Sequence, residues 1–252
     1  MDRAIIFDVD GTLAETEEIH RQSFNRAFAQ AGLDWVWSRA LYAALLRVTG
    51  GKERIRYFLD THLPDFEAPM QLDEYIAGLH AAKTDIYTRT VAAGQVRLRP
   101  GVKRLLDETR RAGMRLAITT TTTPANVAAL LRHSLAPDAE SWFEVIGAGS
   151  VVPAKKPAPD IYHYVMQKMG VSPAECLAFE DSANGLRSAR DAGVTTLVTV
   201  SEYTCEDNFA GAALVLDHLG EPDRPFTVIS GDAGDGRYVT LDLLRELHAQ
   251  CR

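Results

Sequence analysis

The sequence predicts an α/β fold, a doubly wound parallel sheet interrupted by an inserted all-helical four-helix bundle. Three observations lead there. Short apolar runs of strand length alternate with helical patterns, as a parallel sheet with right-handed crossovers requires. Residues 16–91 break that alternation and carry helical periodicity alone. Polar, chemistry-bearing residues stand just past the ends of the apolar runs, where open α/β sheets bind ligands.

Ala4-Ile5-Ile6-Phe7 is the first run, continuous enough for a strand buried on both faces. Asp8 and Asp10 follow where a buried strand has no place for carboxylates, Gly11 permits a sharp turn, and Thr12 adds a hydroxyl. Alone, this is equally an ordinary strand-to-turn junction. From Glu17, the residues Phe24, Ala27, Phe28 and Ala31 repeat at helical spacing, and Gly32 is placed to end the helix. Ser38 is placed to cap a second helix bearing Leu41, Ala44, Leu45 and Val48, stopped by Gly50-Gly51. A third carries Ile55, Phe58 and Leu59 before Pro64, and a fourth, over residues 72–90, lines up Leu72, Tyr75, Leu79, Ala82 and Ile86. The expected domains are a core of residues 1–15 and 92–252 and a helical cap of residues 16–91, lying like a lid over the strand ends.

Past Arg99-Pro100, Val102, Leu105, Leu106 and Thr109 mark a helix ended by Gly113, and residues 114–118 read as a buried strand. It runs into Thr119 through Thr123, with Thr123 suited to an N-cap and Pro124 to the first helical position. A strand at 144–148 leads through Gly149 to Lys155-Lys156-Pro157, and a helix runs from near Pro159 to Gly170. A strand at 176–179 closes on Glu180-Asp181-Ser182, a helix through Leu186 and Ala189 ends at Gly193, and residues 195–200 form a fifth strand. Residues 213–216 suggest a sixth, and residues 226–230 and 237–241 read as a hairpin around a Gly-Asp-Ala-Gly-Asp-Gly turn that lacks the ligand series of a calcium loop.

A chain of 252 residues, 46% hydrophobic and 24% charged, supports one large core or two unequal ones. The net charge of −7 argues against generic nucleic-acid binding, which wants a basic surface, yet leaves room for a small phosphorylated ligand held by a few focused cations. Cys176, Cys205 and Cys251 form neither a disulfide framework nor a zinc spacing. No apolar run reaches membrane-spanning length, and the first strand begins by residue 4, leaving no room for a signal or transit peptide. A cytoplasmic monomer without nucleic-acid or membrane partners is the expectation.

The stretch Asp8-Val9-Asp10-Gly11-Thr12 after an apolar strand resembles the first motif of the haloacid dehalogenase-like (HAD) phosphohydrolases, whose core is Rossmann-like. Thr120 resembles the second motif, Lys156 before Pro157 the third, and Glu180-Asp181 the fourth. The wider match, Asp8 to near Gly193, is most similar to the CbbY-type sugar-phosphate phosphatases and their relatives the β-phosphoglucomutases. The resemblance implies that Asp8 is the nucleophile, forming an aspartyl-phosphate, and that Asp10 is the general acid/base. It implies Mg²⁺ on Asp8, the Asp10 backbone carbonyl, Glu180 and Asp181, a hard-oxygen set. Thr120, with the amides of Thr121 and Thr122, would hold phosphate oxygens, and Lys156 would offset the carboxylates' repulsion. A bland alternative stands beside each: a capping threonine within a run whose register is open by one position, a solvated lysine (expected of Lys155), an acidic pair at a helix start.

In the insert, Thr49-Gly50-Gly51-Lys52-Glu53-Arg54 is read as an anion-binding turn, against a plain helix–helix connection. Glu17 and His20 fall where the family's hinge meets the sugar, and His20 is equally a core histidine. The implied activity is Mg²⁺-dependent hydrolysis of a phosphorylated sugar such as xylulose-1,5-bisphosphate. A phosphoglucomutase-like isomerase and a non-enzymatic phosphosugar binder remain as rivals. A dehalogenase needs neither Asp10 nor a metal.

Overall fold

The computed structural model describes residues 4–250, so Cys251 lies outside them. Strand β1 (Ala4–Phe7) leads into four helices, α1 (Glu17–Gln30), α2 (Arg39–Leu45), α3 (Gly51–His62) and α4 (Leu72–Ala92). Helix α5 (Val102–Arg111), strand β2 (Arg115–Thr120), helix α6 (Pro124–Leu130) and strand β3 (Val145–Ala148) resume the alternation. Helix α7 (Asp160–Met169), strand β4 (Cys176–Glu180), helix α8 (Ala183–Asp191) and strand β5 (Thr195–Thr199) continue it. Strands β6 (Leu214–Leu216) and β7 (Val228–Gly231) and helix α9 (Leu241–Gln250) complete the chain.

The seven strands form one sheet in the order β3-β2-β1-β4-β5-β6-β7, parallel except for the β6–β7 pair. The chain leaves β1 toward β2 and β3, then crosses back to β4 on the other side. The carboxyl end of β1 is therefore a topological switch point, with room for a ligand. Side chains of β1 alternate between two layers. Ile5 and Phe7 join a buried cluster with Leu105 of α5 and Leu244 of α9, while Ala4 and Ile6 join one with Ile161 and Val165 of α7. Burial on both faces is what makes the strand apolar throughout.

The insert has an interior of its own. Phe24, Phe28, Trp35, Trp37, Tyr42, Phe58 and Leu79 pack into a separate cluster, rich in tilted and edge-on ring pairs. The expected caps form: Ser38 accepts from the Leu41 amide at 3.1 Å, and Thr123 from the Asn126 amide at 3.3 Å with Pro124 following. No helix among the described residues is long and apolar enough to cross a membrane.

The threonine run forms a strand end and a helix cap, as its residue types suggest, with β2 extending to Thr120, two residues past residue 118. One expectation needs correction. The C-terminal hairpin is not formed. Residues 228–231 form β7, overlapping the first expected hairpin strand, but β7 pairs antiparallel with β6, Leu214 opposite Gly231. Residues 237–241 are not its partner strand: Val239 donates to the Leu219 carbonyl at 2.8 Å, and Leu241 starts α9. Leu241, Leu244 and Leu247 recur at helical spacing and are buried, and that stripe outweighs the short β-like run before it. The Asp/Gly loop is a turn, Gly234 donating to Asp232 Oδ1 at 2.8 Å.

Candidate active site

The amide of Asp8 donates to the Phe179 carbonyl at 2.9 Å, carrying the β1–β4 ladder one residue past β1 and setting Asp8 beside Glu180. Lys156 enters from the loop after β3. Its ammonium has three donors and uses all of them: Asp8 Oδ1 at 2.8 Å, Glu180 Oε1 at 2.6 Å and the Thr119 carbonyl at 2.8 Å. Tyr162 also donates to Glu180 Oε1. Asp8, Lys156, Glu180 and Asp181 are all buried. Burial by itself would pull Lys156 down, but the carboxylates of Asp8 and Glu180 outweigh it and hold the ammonium above its ordinary value.

Among the described residues, one oxygen each from Asp8, Glu180 and Asp181 lie within 4.8 Å of one another. Burial pushes the Asp8 carboxyl up to about 8; Lys156 opposes the rise and Glu180 adds to it. Burial, then Asp8, raises Asp181 well above the carboxylate range. Glu180 Oε2 is buried with no hydrogen-bond partner. A partnerless buried oxygen and a crowd of hard acidic donors are what a divalent cation would satisfy, so these residues fit one. The packing here is close. A side chain at Gly11, whose φ is 81°, would put its Cβ 2.0 Å from Asp181 Oδ2, and one at Gly185 would sit 1.8 Å from Glu180 Oε2.

Asp10 points elsewhere. Its Oδ1 accepts from Thr16 Oγ1 at 2.5 Å and lies 2.9 Å from His20 Nε2, while Lys83 of α4 contacts His20 Nδ1 from behind. Tyr87 stacks on the His20 ring with centroids 4.2 Å apart. Burial would raise Asp10, but the charge and hydrogen bond of His20, with Thr16 and Lys83, hold it at about 2. His20 is therefore both a buried histidine and a partner of Asp10.

A cleft of about 680 Å³ opens over these groups, lined from the core by Asp8, Asp10, Thr120, Thr121, Lys156 and Asp181. Glu17, Thr49 and Arg54 line it from the insert. Arg54 donates to the Tyr42 hydroxyl at 3.1 Å, which donates to Glu17 Oε2 at 2.7 Å. Thr122 sits behind the cleft, its hydroxyl accepting from Asn126 and its amide donating to Thr120 Oγ1 at 3.2 Å. The Thr49–Arg54 turn is divided. Gly50 and Gly51 border a small pocket with His20 and Lys83, and exposed Lys52 faces a separate hollow with His80 and Lys155.

Lys155 is not merely solvated: it bonds Glu53 of α3 at 2.6 Å and ties core to insert. Asn184 does the same through Thr49 Oγ1 at 3.1 Å. Arg39 and Arg47 also line the cleft. Asn184, Arg39 and Arg47 belong to no motif, and a lone polar or cationic residue at a helix start or in a turn gives no signal before the fold is known.

Known proteins resemble this chain in sequence and fold. A family model described as haloacid dehalogenase-like hydrolase matches residues 3–193. The CbbY protein of Cupriavidus necator is 47% identical over 98% of this chain and 96% of its own length, and that of Rhodobacter capsulatus is 53% identical over 83% and 90%. A crystal structure of a CbbY variant from Rhodobacter sphaeroides in complex with xylulose-1,5-bisphosphate superposes with a TM-score of 0.81 at 47% identity, covering 86% of this chain and 95% of that one. With a family model matched over residues 3–193 and CbbY relatives at 47% and 53% identity, the chain belongs to the haloacid dehalogenase-like hydrolases, as a phosphoric monoester hydrolase of the CbbY branch.

Proposed function

We propose that the chain is a Mg²⁺-dependent phosphatase of a sugar bisphosphate of the xylulose-1,5-bisphosphate kind, acting through an aspartyl-phosphate on Asp8. The observation that carries this reading is the division of labour between two carboxylates two residues apart. Asp8 lies within the acidic cluster against Lys156, and Asp10 is held outside it by Thr16 and His20. In this reading the first attacks phosphorus and the second moves a proton. Asp8, Glu180, Asp181 and the Asp10 backbone carbonyl would hold Mg²⁺, which when bound supplies the positive charge that lets two anions meet.

Lys156 steadies the phosphoryl group and keeps Asp8 aimed. Thr120 and the amides of Thr121 and Thr122 receive the remaining phosphate oxygens. Asp10 is ionised in the arrangement described. Protonating the departing sugar oxygen therefore requires that Thr16 and His20 release it and that it gain a proton; it then takes one back from the hydrolytic water. The insert acts as a cap, excluding water and supplying contacts at the far end of the substrate. Glu17 and His20 face the sugar, Thr49, Gly50 and Gly51 lend backbone to the site, and Arg54 receives the second phosphate. Lys52, facing another hollow, is not assigned to the substrate. The two described cysteines are free, in keeping with the cytoplasmic setting proposed, and a monomer is the oligomeric state proposed.

Turnover on a panel of sugar monophosphates and bisphosphates, following free phosphate and sugar isomers together, tests the reading. Phosphate release from a bisphosphate is expected, stopped by chelation and restored better by Mg²⁺ than by Ca²⁺. Isomer without free phosphate would make the chain a mutase, and saturable binding with neither product would make it a binder. Full activity in excess chelator would remove the metal from the proposal.

A further inference from the structure

We infer that Arg99 is a positioning residue for phosphoryl transfer, gripping the two backbone segments that bracket Asp181. Arg99 is 7% exposed and lies on the linker that returns from the insert to the core. Its guanidinium spends every nitrogen. Nη1 donates to the Gly11 carbonyl and to the Thr199 carbonyl at 3.1 Å; Nη2 donates to the carbonyls of Val200 and Asp217, each at 2.6 Å. Nε faces Glu15 Oε1 at 3.2 Å, on the outgoing linker. The Arg99 amide donates to the Leu13 carbonyl at 2.9 Å, so both linkers are tied at this residue.

A buried guanidinium bonded to four backbone carbonyls is costly unless each bond is made, so the site dictates arginine rather than a generic cation. What those carbonyls belong to gives the residue its role. Gly11 follows Asp10 and packs its Cα against Asp181 Oδ2, with Ser201 beyond. Val200 precedes Ser201, whose Cβ stands with Asp181 Oδ2 around Gly11 and whose hydroxyl lies 2.9 Å from Thr204 Oγ1. Arg99 thus fixes the turn on one side of the Asp181 carboxylate and the strand end on the other, without touching substrate. Displacing the Asp181 carboxylate by an ångström would misplace the ion it holds, which costs rate and metal affinity rather than binding of the sugar phosphate.

This inference rests on the phosphatase reading, and Arg99→Lys tests it, keeping charge and most of the volume while losing the fork. The folded variant is expected to lose about a hundredfold in kcat with KM for the sugar phosphate unmoved. Binding of Mn²⁺, which takes the same oxygen donors as Mg²⁺, is expected to weaken about tenfold by paramagnetic resonance without substrate. That measurement reports on Arg99 even if the unsubstituted protein hydrolyses no sugar phosphate, which separates the two failures. Glu15→Gln, which leaves the four carbonyl bonds in place, is expected to keep kcat; a loss equal to that of Arg99→Lys would shift the role to the linker ion pair and overturn the assignment.

Should Arg99→Lys not fold, Arg99→Ala with added methylguanidinium replaces it, since the residue borders an open hollow of about 700 Å³ that admits the cation. Activity regained with methylguanidinium and not with methylammonium supports the grip on the carbonyls. Wild-type kcat and Mn²⁺ affinity in folded Arg99→Lys, or full activity of Arg99→Ala without additive, would overturn it.

Discussion

Two lysines are buried near the cleft, Lys156 in the core and Lys83 in the insert, at 5% and 4% exposure, and their environments drive them in opposite directions. Lys156 touches two carboxylates and a carbonyl, which more than repay its desolvation. Lys83 meets His20 and the faces of Phe24 and Tyr87, with Asp10 and Glu17 acting from further off. Burial therefore wins and brings it down to about 7. The same side chain at the same depth is a fixed cation in one region and a titratable one in the other. The core holds its buried lysine as a fixed cation, whereas the charge of the insert's buried lysine can change near neutral pH.

The comparison breaks hardest at Asp8. Asp8→Asn removes the nucleophile and the anionic partner of Lys156, so turnover should fall to background while the thermal midpoint holds or rises, one of three repelling acids being gone. Substantial activity in the folded variant would mean that water attacks phosphorus directly. On the insert side the effect should be smaller and selective. Arg54→Ala should cost about ten- to a hundredfold in kcat/KM on a bisphosphate and little on the matching monophosphate, one charge-assisted contact being lost. Lys52→Ala should stay near wild type on both; a shared loss would put the two cations back in one site.

Lys83 sharpens the comparison by pH. Its pKa near 7 in the folded chain lies below the ordinary 10.5, so between those values the unfolded chain binds the proton that the folded chain has released. Stability from this group is then constant below about pH 7 and rises with pH up to about 10, by no more than about 1.4 kcal/mol per unit. Denaturant titrations at several pH values should show this slope flatten in Lys83→Met, and an unaltered slope would assign the proton to another group. The smallest effect belongs to the half-exposed tie between the regions. Lys155→Ala, which cuts the bond to Glu53, should cost within about 1 kcal/mol of stability.

What could be read beforehand follows from which interactions are local. An apolar run followed by Asp8 and Asp10, or by Glu180 and Asp181, announces a strand end, because a buried strand admits no carboxylate. Ser38 and Thr123 announce their helices for the same kind of reason, a side chain bonding an amide three residues on. Arg99 reaches Asp217, Asn184 reaches Thr49 and Lys155 reaches Glu53, each across more than a hundred positions, and no spacing records that. The division between Lys52 and Arg54 depends on which way α3 faces once docked. The C-terminal region misleads because a three-residue β-like run precedes a leucine stripe, and only the packing of α9 against the sheet decides between them.

The separate aromatic interior of the insert has an optical consequence. Of three tryptophans, Trp35 and Trp37 belong to that interior, at 7% and 0% exposure, and Trp142 lies in the core with Arg110 over its ring at 3.7 Å. A Trp142→Phe chain would therefore emit from the insert alone, from indoles shielded from water. Its fluorescence during unfolding would report melting of the helical bundle, while far-ultraviolet dichroism follows the whole chain. Superimposable transitions would mean that the two interiors fail as a single cooperative unit, and staggered ones that the bundle can come apart while the sheet, with its acidic cluster, stays folded.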